Sequence, residues 1–428
     1  MDRRLNPALI EEPVPLSGRD RRRILTYVGV LVVLLGLGDP MGGLIGIPLS
    51  FFLKNKLHLT SQESAVFGAI ASAPVYLAAV FGFVRDHFNP LGRGDRGFLI
   101  VFGSTTAGLY LTAAFMPPSA GVLLAIVPLL VSSFQFVSSA QNGLMSQLAR
   151  QHGISGHASA TQNFALYLLW SGAALAGGFL STHLDGQSAE GAARRLFMVG
   201  AGLMGCVALY GLFRPRVVYD GLRRDPAAEA APRARIGQLL RHWPVYPALL
   251  IWLFWNFNPG ALTPLQYHLQ DRFHATDLQW AQYLAITNAS FLPSYILYGW
   301  LCRRFHLRAI LFWGTLVAVP QFVGLAFISS VSDAFVAGVF IGMMGGVATA
   351  AYMDLLIRSC PPGLEGTVLM MSWALFTAAQ RGADIFGAYL YETSGAFLTC
   401  IIAVTGVYAC ILPLLALVPK TLTLTRDR

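Results

Sequence analysis

The feature that most constrains this chain is a long apolar run over residues 24–53, interrupted near its middle by Asp39 and Pro40. As a helix it would be about 45 Å long, whereas the apolar core of a bilayer is roughly 30 Å thick. A charge at the centre of such a segment costs at least about 3 kcal/mol, and proline removes a backbone donor beside it. The sequence therefore predicts a membrane-spanning helix that breaks next to a buried carboxylate.

The second half of the chain repeats this stretch. Residues 48–60 align without gaps with residues 264–276. Asn258-Pro259 aligns with Asp39-Pro40 when a gap of a few residues is allowed. Two copies in the same direction predict two similar half-bundles, related by an axis along the membrane normal. Both copies end in a threonine-x-x-acid/amide pattern that predicts a helix start, Thr60 with Glu63 and Thr276 with Gln279.

Composition places the chain in a membrane. Its 428 residues are 55% hydrophobic and only 12% charged, against about 25% charged residues in an ordinary soluble domain. The net charge of +9 does not indicate nucleic-acid binding, because the basic residues lie between apolar spans and not on one soluble face. Five cysteines without close spacing indicate neither a disulfide framework nor a metal site, and we expect no cofactor.

The apolar spans number about twelve and divide into two sets of six, so we predict an all-α polytopic membrane protein. Arginines concentrate in the loops on one side of these spans, which predicts that both termini face the cytosol. We expect a bacterial inner (plasma) membrane location. The predicted units are a tail (1–20), a first six-helix half (21–213), a linker (214–244), a second half (245–419) and a C-terminal tail (420–428).

The loop after the second predicted span places Asp86 four residues after Gly82, with Arg93 and Arg96 downstream. This spacing resembles the cytoplasmic signature of the major facilitator superfamily. A carboxylate at a helix end can accept hydrogen bonds from arginines and from a neighbouring helix N-terminus. We expect Asp86, Arg93 and Arg96 to hold a cytosolic gate closed. The alternative is a solvated turn whose arginines only set the topology.

Three segments resemble the folate–biopterin transporter family, which belongs to that superfamily: residues 50–54, residues 86–96 and above all the Cys-Pro-Pro-Gly-Leu-Glu-Gly-Thr segment at 360–367. The resemblance implies a major facilitator fold, with two six-helix pseudo-repeats around a central cavity. It also implies that pterins, folates or similar anionic solutes cross a membrane, often together with protons.

One departure from the family pattern bears on mechanism. The fourth predicted span carries Asn142 and Gln147 where the family has acidic residues. An amide keeps the shape and hydrogen bonding of the acid but cannot titrate. We therefore include Asn142 and Gln147 among the gating candidates, while proton coupling and the substrate stay open.

Few charged residues are predicted at membrane depth. Arg381 lies near the middle of the eleventh span, with Gln380 beside it and Asp384 one turn on, so Arg381 and Asp384 share a helix face. In one interpretation Arg381 binds an anionic group of the substrate and Asp384 neutralises it when the site is empty. In the other they form a structural ion pair that fixes the helix.

Two further acidic residues have open interpretations. Asp39 either titrates in the cavity or only accepts hydrogen bonds from backbone groups freed by Gly38 and Pro40. Asp354 precedes Arg358 by four residues, which predicts a gate or helix-end ion pair.

Aromatic and amide side chains in the spans could contact a flat heterocycle. The alternative is ordinary packing or an interfacial aromatic belt. These candidates are Gln135, Trp255, Asn256, Asn258 and Trp373.

The sequence thus predicts a secondary transporter that moves a small organic anion by alternating access, a pterin- or folate-like solute being one candidate. The alternatives are a non-transporting membrane assembly factor of the same fold and an efflux pump for lipophilic drugs. An enzyme is not expected, because no nucleophile–base set stands out. The expected partners are the solute, protons as a candidate coupling ion and membrane lipids, and we expect a monomer.

Overall fold

The computed structural model describes residues 16–59, 67–68, 70–220, 222, 237 and 239–424, and in these residues all regular structure is helical. The first half contains α1 (Gly18–Gly38), α2 (Gly43–Asn55), α3 (Ala73–Tyr76), α4 (Ala78–His87), α5 (Asp95–Phe115), α6 (Ala120–His152), α7 (Ser155–Asp185) and α8 (Ala189–Leu212). After α9 (Arg216–Tyr219) come α10 (Val245–Asn256), α11 (Thr263–Phe273), α12 (Asp277–Arg304), α13 (Leu307–Ala318), α14 (Val331–Ser359), α15 (Glu365–Ser394), α16 (Phe397–Ala409), α17 (Ile411–Leu414) and α18 (Lys420–Thr423). Short 3-10 helices cover Pro90–Gly92, Val323–Phe327 and Leu415–Leu417.

Seven helical segments among the described residues are long and apolar enough to cross a membrane by length and composition. Where the structure describes them, the other predicted spans are also helical, but they are interrupted or more polar. The first consists of α1 and α2, and the seventh of α10 and α11, so neither is one continuous apolar helix. The sequence placed both interruptions correctly, because proline and a polar side chain coincide there.

The structure confirms the internal repeat in backbone detail. His58 and His274, which are equivalent in the alignment, both adopt the left-handed conformation with φ of 54°. Each is followed by the same hydrogen bond, from Leu59 N to Leu53 O at 3.0 Å and from Ala275 N to Leu269 O at 3.1 Å. A non-glycine residue at positive φ is uncommon, so its recurrence at equivalent positions indicates a shared local fold.

The two helix-start patterns have different outcomes. The capping box at Thr276 is present, with Thr276 N donating to Gln279 Oε1 at 2.8 Å and Gln279 N donating to Thr276 Oγ1 at 3.2 Å. The Thr60–Glu63 pattern lies outside the described residues. At the start of the chain, α1 begins at Gly18, inside the predicted tail, because the Ser17 hydroxyl caps it by accepting a hydrogen bond from Asp20 N.

Helix packing separates contacts within each half from contacts between them. In the first half α5 packs against α6 and α8, and in the second half α14 packs against α12 and α13. The halves meet where α7 packs against α12 and α14, and where α4 packs against α15. We refer to the end of the bundle that carries the 213–244 connection as the linker end. There α4, α6, α12 and α14 end, and α7 and α15 begin.

Candidate functional site

A buried charge cluster lies at the linker end. Arg85, in the last turn of α4, donates from Nε and Nη2 to the two carboxylate oxygens of Asp95 at 2.6 and 2.7 Å, and from Nη1 to Asp86 Oδ1 at 2.8 Å. The Asp86 side chain is fully buried, and those of Arg85 and Asp95 are less than a tenth exposed. A buried arginine that bonds two carboxylates in this way has well-satisfied donors and a fixed orientation.

Asp86 also contacts the other half of the protein. Its Oδ1 accepts from Gly366 N at 3.2 Å, and its Oδ2 accepts from Thr367 N at 2.7 Å and from Thr367 Oγ1 at 2.6 Å. Gly366 and Thr367 are in the first turn of α15, where backbone N–H groups lack intrahelical partners and favour a negative charge. A carboxylate from the first half therefore caps a helix of the second half.

An ion pair also connects the halves beside Asp86. Arg150, near the end of α6, donates from Nη1 to Glu365 Oε1 at 2.9 Å, with side chains 24% and 8% exposed. His242, a residue of the linker, lies near Arg150 of this ion pair. Burial lowers the pKa of the His242 imidazole and the Arg150 cation lowers it further, whereas a hydrogen bond to the backbone of Ser359 opposes the shift.

Two glycines allow this close approach. A Cβ on Gly82 of α4 would overlap the Gly366 carbonyl oxygen and lie 2.8 Å from Thr367 Cα. Gly363, in the segment before α15, has φ of 77°, a conformation that L side chains rarely adopt. We name the set at this crossing the linker-end cluster: Arg85, Asp86, Asp95, Arg150, Glu365, Gly366 and Thr367.

The other crossing between the halves also has polar contacts at the linker end. Arg303 Nε, near the end of α12, donates to His157 Nε2 at 2.7 Å in the first turn of α7. Ser159 Oγ donates to Ala350 O of α14 at 2.6 Å. Both crossings thus join the two halves through hydrogen bonds at the same end of the bundle.

Aromatic rings occupy the next layer away from the linker end. Tyr167 of α7 lies 4.7 Å from Phe291 and 5.2 Å from Tyr295 of α12, measured between ring centroids. Trp170 and Phe376 approach to 6.5 Å, and Phe376 lies 5.4 Å from Trp373. The Trp373 Nε1 donor is buried and has no hydrogen-bond partner within the described part of the chain. These six rings form what we term the aromatic layer.

The structure does not form the expected ion pair in the eleventh predicted span. Asp384 accepts instead from Thr263 N and Thr263 Oγ1, both at 2.9 Å, in the first turn of α11. The Thr263 N–H has no intrahelical partner at the helix break, so it donates to the Asp384 carboxylate in place of Arg381. Arg381 is exposed and makes no ion pair with any described residue, and Gln380 beside it is half-buried. Their roles in substrate binding stay predictions.

Asp39 adopts a hydrogen-bonded position at the first helix break. Its Oδ1 accepts from Met41 N at 3.0 Å, and its backbone oxygen accepts from Gly42 N at 3.0 Å. Tyr110 OH donates to Gly38 O at 3.0 Å. Asp39 thus accepts a hydrogen bond from backbone freed by the break, and titration of its carboxylate stays a prediction.

The predicted ion pair of α14 is present and lies within the second half. Arg358 donates from Nε to Asp354 Oδ1 at 2.8 Å and from Nη2 to Oδ2 at 3.1 Å. Tyr298 OH of α12 donates to Asp354 Oδ2 at 2.7 Å. Because these residues tie α12 to α14, the pair holds one half together near the linker end, and a gating role stays a prediction.

The arginines predicted to bind Asp86 are placed elsewhere. Arg96 donates to Gly211 O at 3.0 Å and to Leu212 O at 2.8 Å, and therefore caps the C-terminus of α8. Arg93 is exposed and forms no ion pair with Asp86. Asp86 therefore bonds Arg85 and neither predicted arginine, and the gating roles of Arg93 and Arg96 stay predictions.

The amides of α6 form a buried network. Asn142 accepts at Oδ1 from Gln162 Nε2 at 3.0 Å, donates to Ser138 O at 3.0 Å and lies 3.8 Å from the sulfur of Met370 in α15. Gln147 is half-buried one turn further on. Asn142 thus contacts the second half close to the linker-end cluster, and the gating roles of Asn142 and Gln147 stay predictions.

The remaining substrate candidates are mostly packed within the second half. Trp255 stacks on Tyr408 with centroids 4.6 Å apart, and Asn256 Nδ2 donates to Trp252 O at 2.8 Å. These contacts match ordinary packing. Gln135 is buried, whereas Asn258 is half-buried. Among the described residues no group of three or more His, Cys, Asp or Glu side chains could hold a metal ion.

Comparison with known proteins agrees with this architecture. The Major Facilitator Superfamily model matches residues 170–383, and the BT1 family model matches residues 41–233. A folate–biopterin transporter from Synechocystis sp. is 23% identical over 397 residues, which cover 89% of this chain and 76% of that protein.

Solved structures resemble the chain as a whole. The human organic anion transporter MFSD10 has a TM-score of 0.63 at 17% identity and covers 92% of this chain and 99% of its own. The E. coli fucose:proton symporter FucP has a TM-score of 0.66 at 14% identity, with 92% and 98% covered. At these identities the likeness shows the fold. The superfamily model covers half of the chain, so the chain belongs to the major facilitator superfamily and is a multi-pass membrane protein and secondary transporter, similar to the folate–biopterin transporters.

Proposed function

We propose that this transporter moves a small organic anion by alternating access, with residues 21–213 and 245–419 as the two moving units and residues 214–244 as the linker. The described conformation is closed at the linker end, which we assign to the cytosol of a bacterial inner membrane. The observation that carries the proposal is the carboxylate of Asp86 on the N-terminus of α15. This contact joins the halves through hydrogen bonds that can break and re-form without rearranging either half.

The charge of Arg381 and the aromatic rings between the halves support the proposed substrate class. A guanidinium on an apolar span is costly unless it meets an anion, and Arg381 makes no ion pair with the described residues. The aromatic layer offers flat surfaces and the unpartnered Trp373 Nε1 donor. The similarity to a folate–biopterin transporter supports a pterin- or folate-like solute. Asp39 and Asp384 are the candidates for proton coupling.

Replacing Arg381 with glutamine should weaken substrate binding in proteoliposomes. Loss of a hydrogen bond to a charged group costs about 1.5–3 kcal/mol, so we expect KM to rise roughly 10- to 150-fold. Initial uptake rates would be measured over pterins, folates and other organic anions, with and without a proton gradient. Arg381→Lys should recover part of the affinity, because it keeps the charge without the planar fork. Arg308→Gln, an exposed arginine at the start of α13, is the matched control.

Normal affinity in the Arg381→Gln variant would contradict the anion site. Uptake that is independent of the pH gradient would contradict proton coupling. Purified protein that binds none of the solutes but co-purifies with a membrane complex would favour an assembly factor. Inhibition by unrelated lipophilic cations would favour a drug efflux pump.

The ion pair between Arg150 and Glu365 permits a charge-swap test of linker-end closure. Arg150→Glu and Glu365→Arg should each reduce transport roughly tenfold or more, because each places like charges together in a largely buried position. The double variant should recover part of the activity. Recovery is expected to be partial, since an arginine in the first turn of α15 opposes the helix dipole. A double variant no better than the worse single one would show that these residues do not act as a pair.

A further inference from the structure

An elongated groove of about 710 Å³ runs between α1 and α7 and reaches Arg303 of α12. It includes no residue of the linker-end cluster or the aromatic layer. The residues that line the groove are basic at the linker end and apolar further along. The apolar lining comprises Leu25, Val30, Val33, Leu34, Phe164 and Leu168.

The basic end of the groove combines side chains from both halves. Arg21 and Arg22 come from the first turn of α1, and Arg303 comes from the end of α12. Arg22 and Arg303 are exposed, and Arg303 is oriented through its Nε by His157 Nε2 at 2.7 Å. None of the described residues that line the groove is acidic, so the charge of this end is positive throughout.

The dimensions of the groove match one leaflet of a bilayer. From Arg21 to Leu34 along α1 the helix rises about 20 Å, whereas half of the apolar core is roughly 15 Å thick. The arginines lie where α1 and α7 begin and α12 ends, at the level expected for lipid head groups. Val30 and Leu168 expose 42% and 49% of their surface along the apolar part.

We propose that this groove binds an anionic phospholipid, with the phosphate on Arg22 and Arg303 and one acyl chain along α1 and α7. The planar guanidinium suits the oxygens of a phosphate, and each basic residue near an anionic surface contributes roughly fivefold to binding. Because Arg22 and Arg303 belong to different halves, the bound lipid bridges them and stabilises the arrangement closed at the linker end. This assignment does not depend on which solute is transported.

The test uses the full-length protein in detergent, with dioleoylphosphatidylglycerol as the anionic probe and dioleoylphosphatidylcholine as the neutral one. Bound lipid is counted by native mass spectrometry over a titration. We expect wild-type protein to bind phosphatidylglycerol more tightly than phosphatidylcholine, and the double variant Arg22→Gln, Arg303→Gln to lose at least tenfold in that affinity. Val30→Trp, which fills the apolar part without changing the charge, should also weaken binding.

The matched control is the double variant Arg23→Gln, Arg304→Gln, which removes the same charge from neighbouring positions outside the groove. Arg23 lies 3.6 Å from Asp20, and Arg304 lies over the ring of Trp300 at 4.4 Å. This control should bind phosphatidylglycerol as the wild type does, and equal losses in both double variants would overturn the proposal. Equal binding of the two lipids would also overturn it, as would displacement of phosphatidylglycerol by inorganic phosphate, which would identify a site for a free anion.

Discussion

Replacing Asp86 with asparagine is expected to destabilise closure of the linker end and to reduce transport more than tenfold. The buried carboxylate accepts from Arg85, from two backbone N–H groups of α15 and from the Thr367 hydroxyl. Asparagine keeps the shape, but it has one acceptor oxygen and turns an amide group toward donors. Breaking a buried charge pair costs about 3–5 kcal/mol, and 1.4 kcal/mol already changes a conformational equilibrium tenfold.

The effect on conformation can be separated from an effect on folding. Spin labels at Arg93 and Arg308, exposed residues of the two halves near the linker end, would report the distance between them. We expect a longer distance in the Asp86→Asn variant, with an unchanged melting profile for each half. The exposed ion pair of Arg214 with Asp220 supplies the control, because its side chains are 61% and 45% exposed and such pairs contribute at most about 1 kcal/mol. Asp220→Asn should leave distance and uptake unchanged, whereas a wild-type distance for Asp86→Asn would refute the assignment.

The two helix breaks could be predicted because their causes are local. Proline removes a donor wherever it stands, and both breaks contain a proline after a polar residue, Asp39-Pro40 and Asn258-Pro259. The matching backbone of His58 and His274 shows that the repeat extends to the ends of α2 and α11. The role of Asp86 as an acceptor for a helix N-terminus was also predictable from its place at a helix end. That inference needed only the chemistry of one residue and the existence of a neighbouring helix.

The partners of these residues were not predictable in the same way. Asp384 shares a helix face with Arg381, but it bonds Thr263, which is far away in sequence and free only because another helix breaks there. Arg96 is close to Asp86 in sequence, yet it reaches the carbonyl oxygens at the end of α8. Spacing along one helix cannot rank such contacts, because the competing group is brought in by tertiary packing.

Glu365 and Arg150 were missed although both lie in segments that the sequence singled out. Glu365 belongs to the segment that carries the resemblance to the folate–biopterin transporters, and Arg150 comes three residues after Gln147, where the chain departs from the family pattern. The opposite charges of these two residues could have been used to predict a contact between the two segments. The structure pairs them at 2.9 Å, so the most family-like segment of the chain builds the closed linker end.

Substitution of Gly82, at the crossing of α4 and α15, is expected to have the other large effect on transport. A Cβ at Gly82 would overlap the Gly366 carbonyl oxygen and lie 2.8 Å from Thr367 Cα, and neither backbone atom can move aside as a flexible side chain could. Gly82→Val should therefore hold the helices apart and prevent closure, while α4 itself gains helix propensity. We expect a folded protein with transport reduced at least tenfold and a longer distance between labels at Arg93 and Arg308.

A graded series distinguishes this steric mechanism from general destabilisation. Gly82→Ala should have a smaller effect than Gly82→Val, because the added volume is smaller. Gly108→Val is the matched control, since a Cβ on that glycine of α5 meets nothing within 4 Å. If Gly82→Val transports as well as Gly108→Val, close backbone contact between the halves is not needed for the cycle. If instead Gly82→Val binds solute but does not transport it, closure at this crossing is the step that the glycine permits.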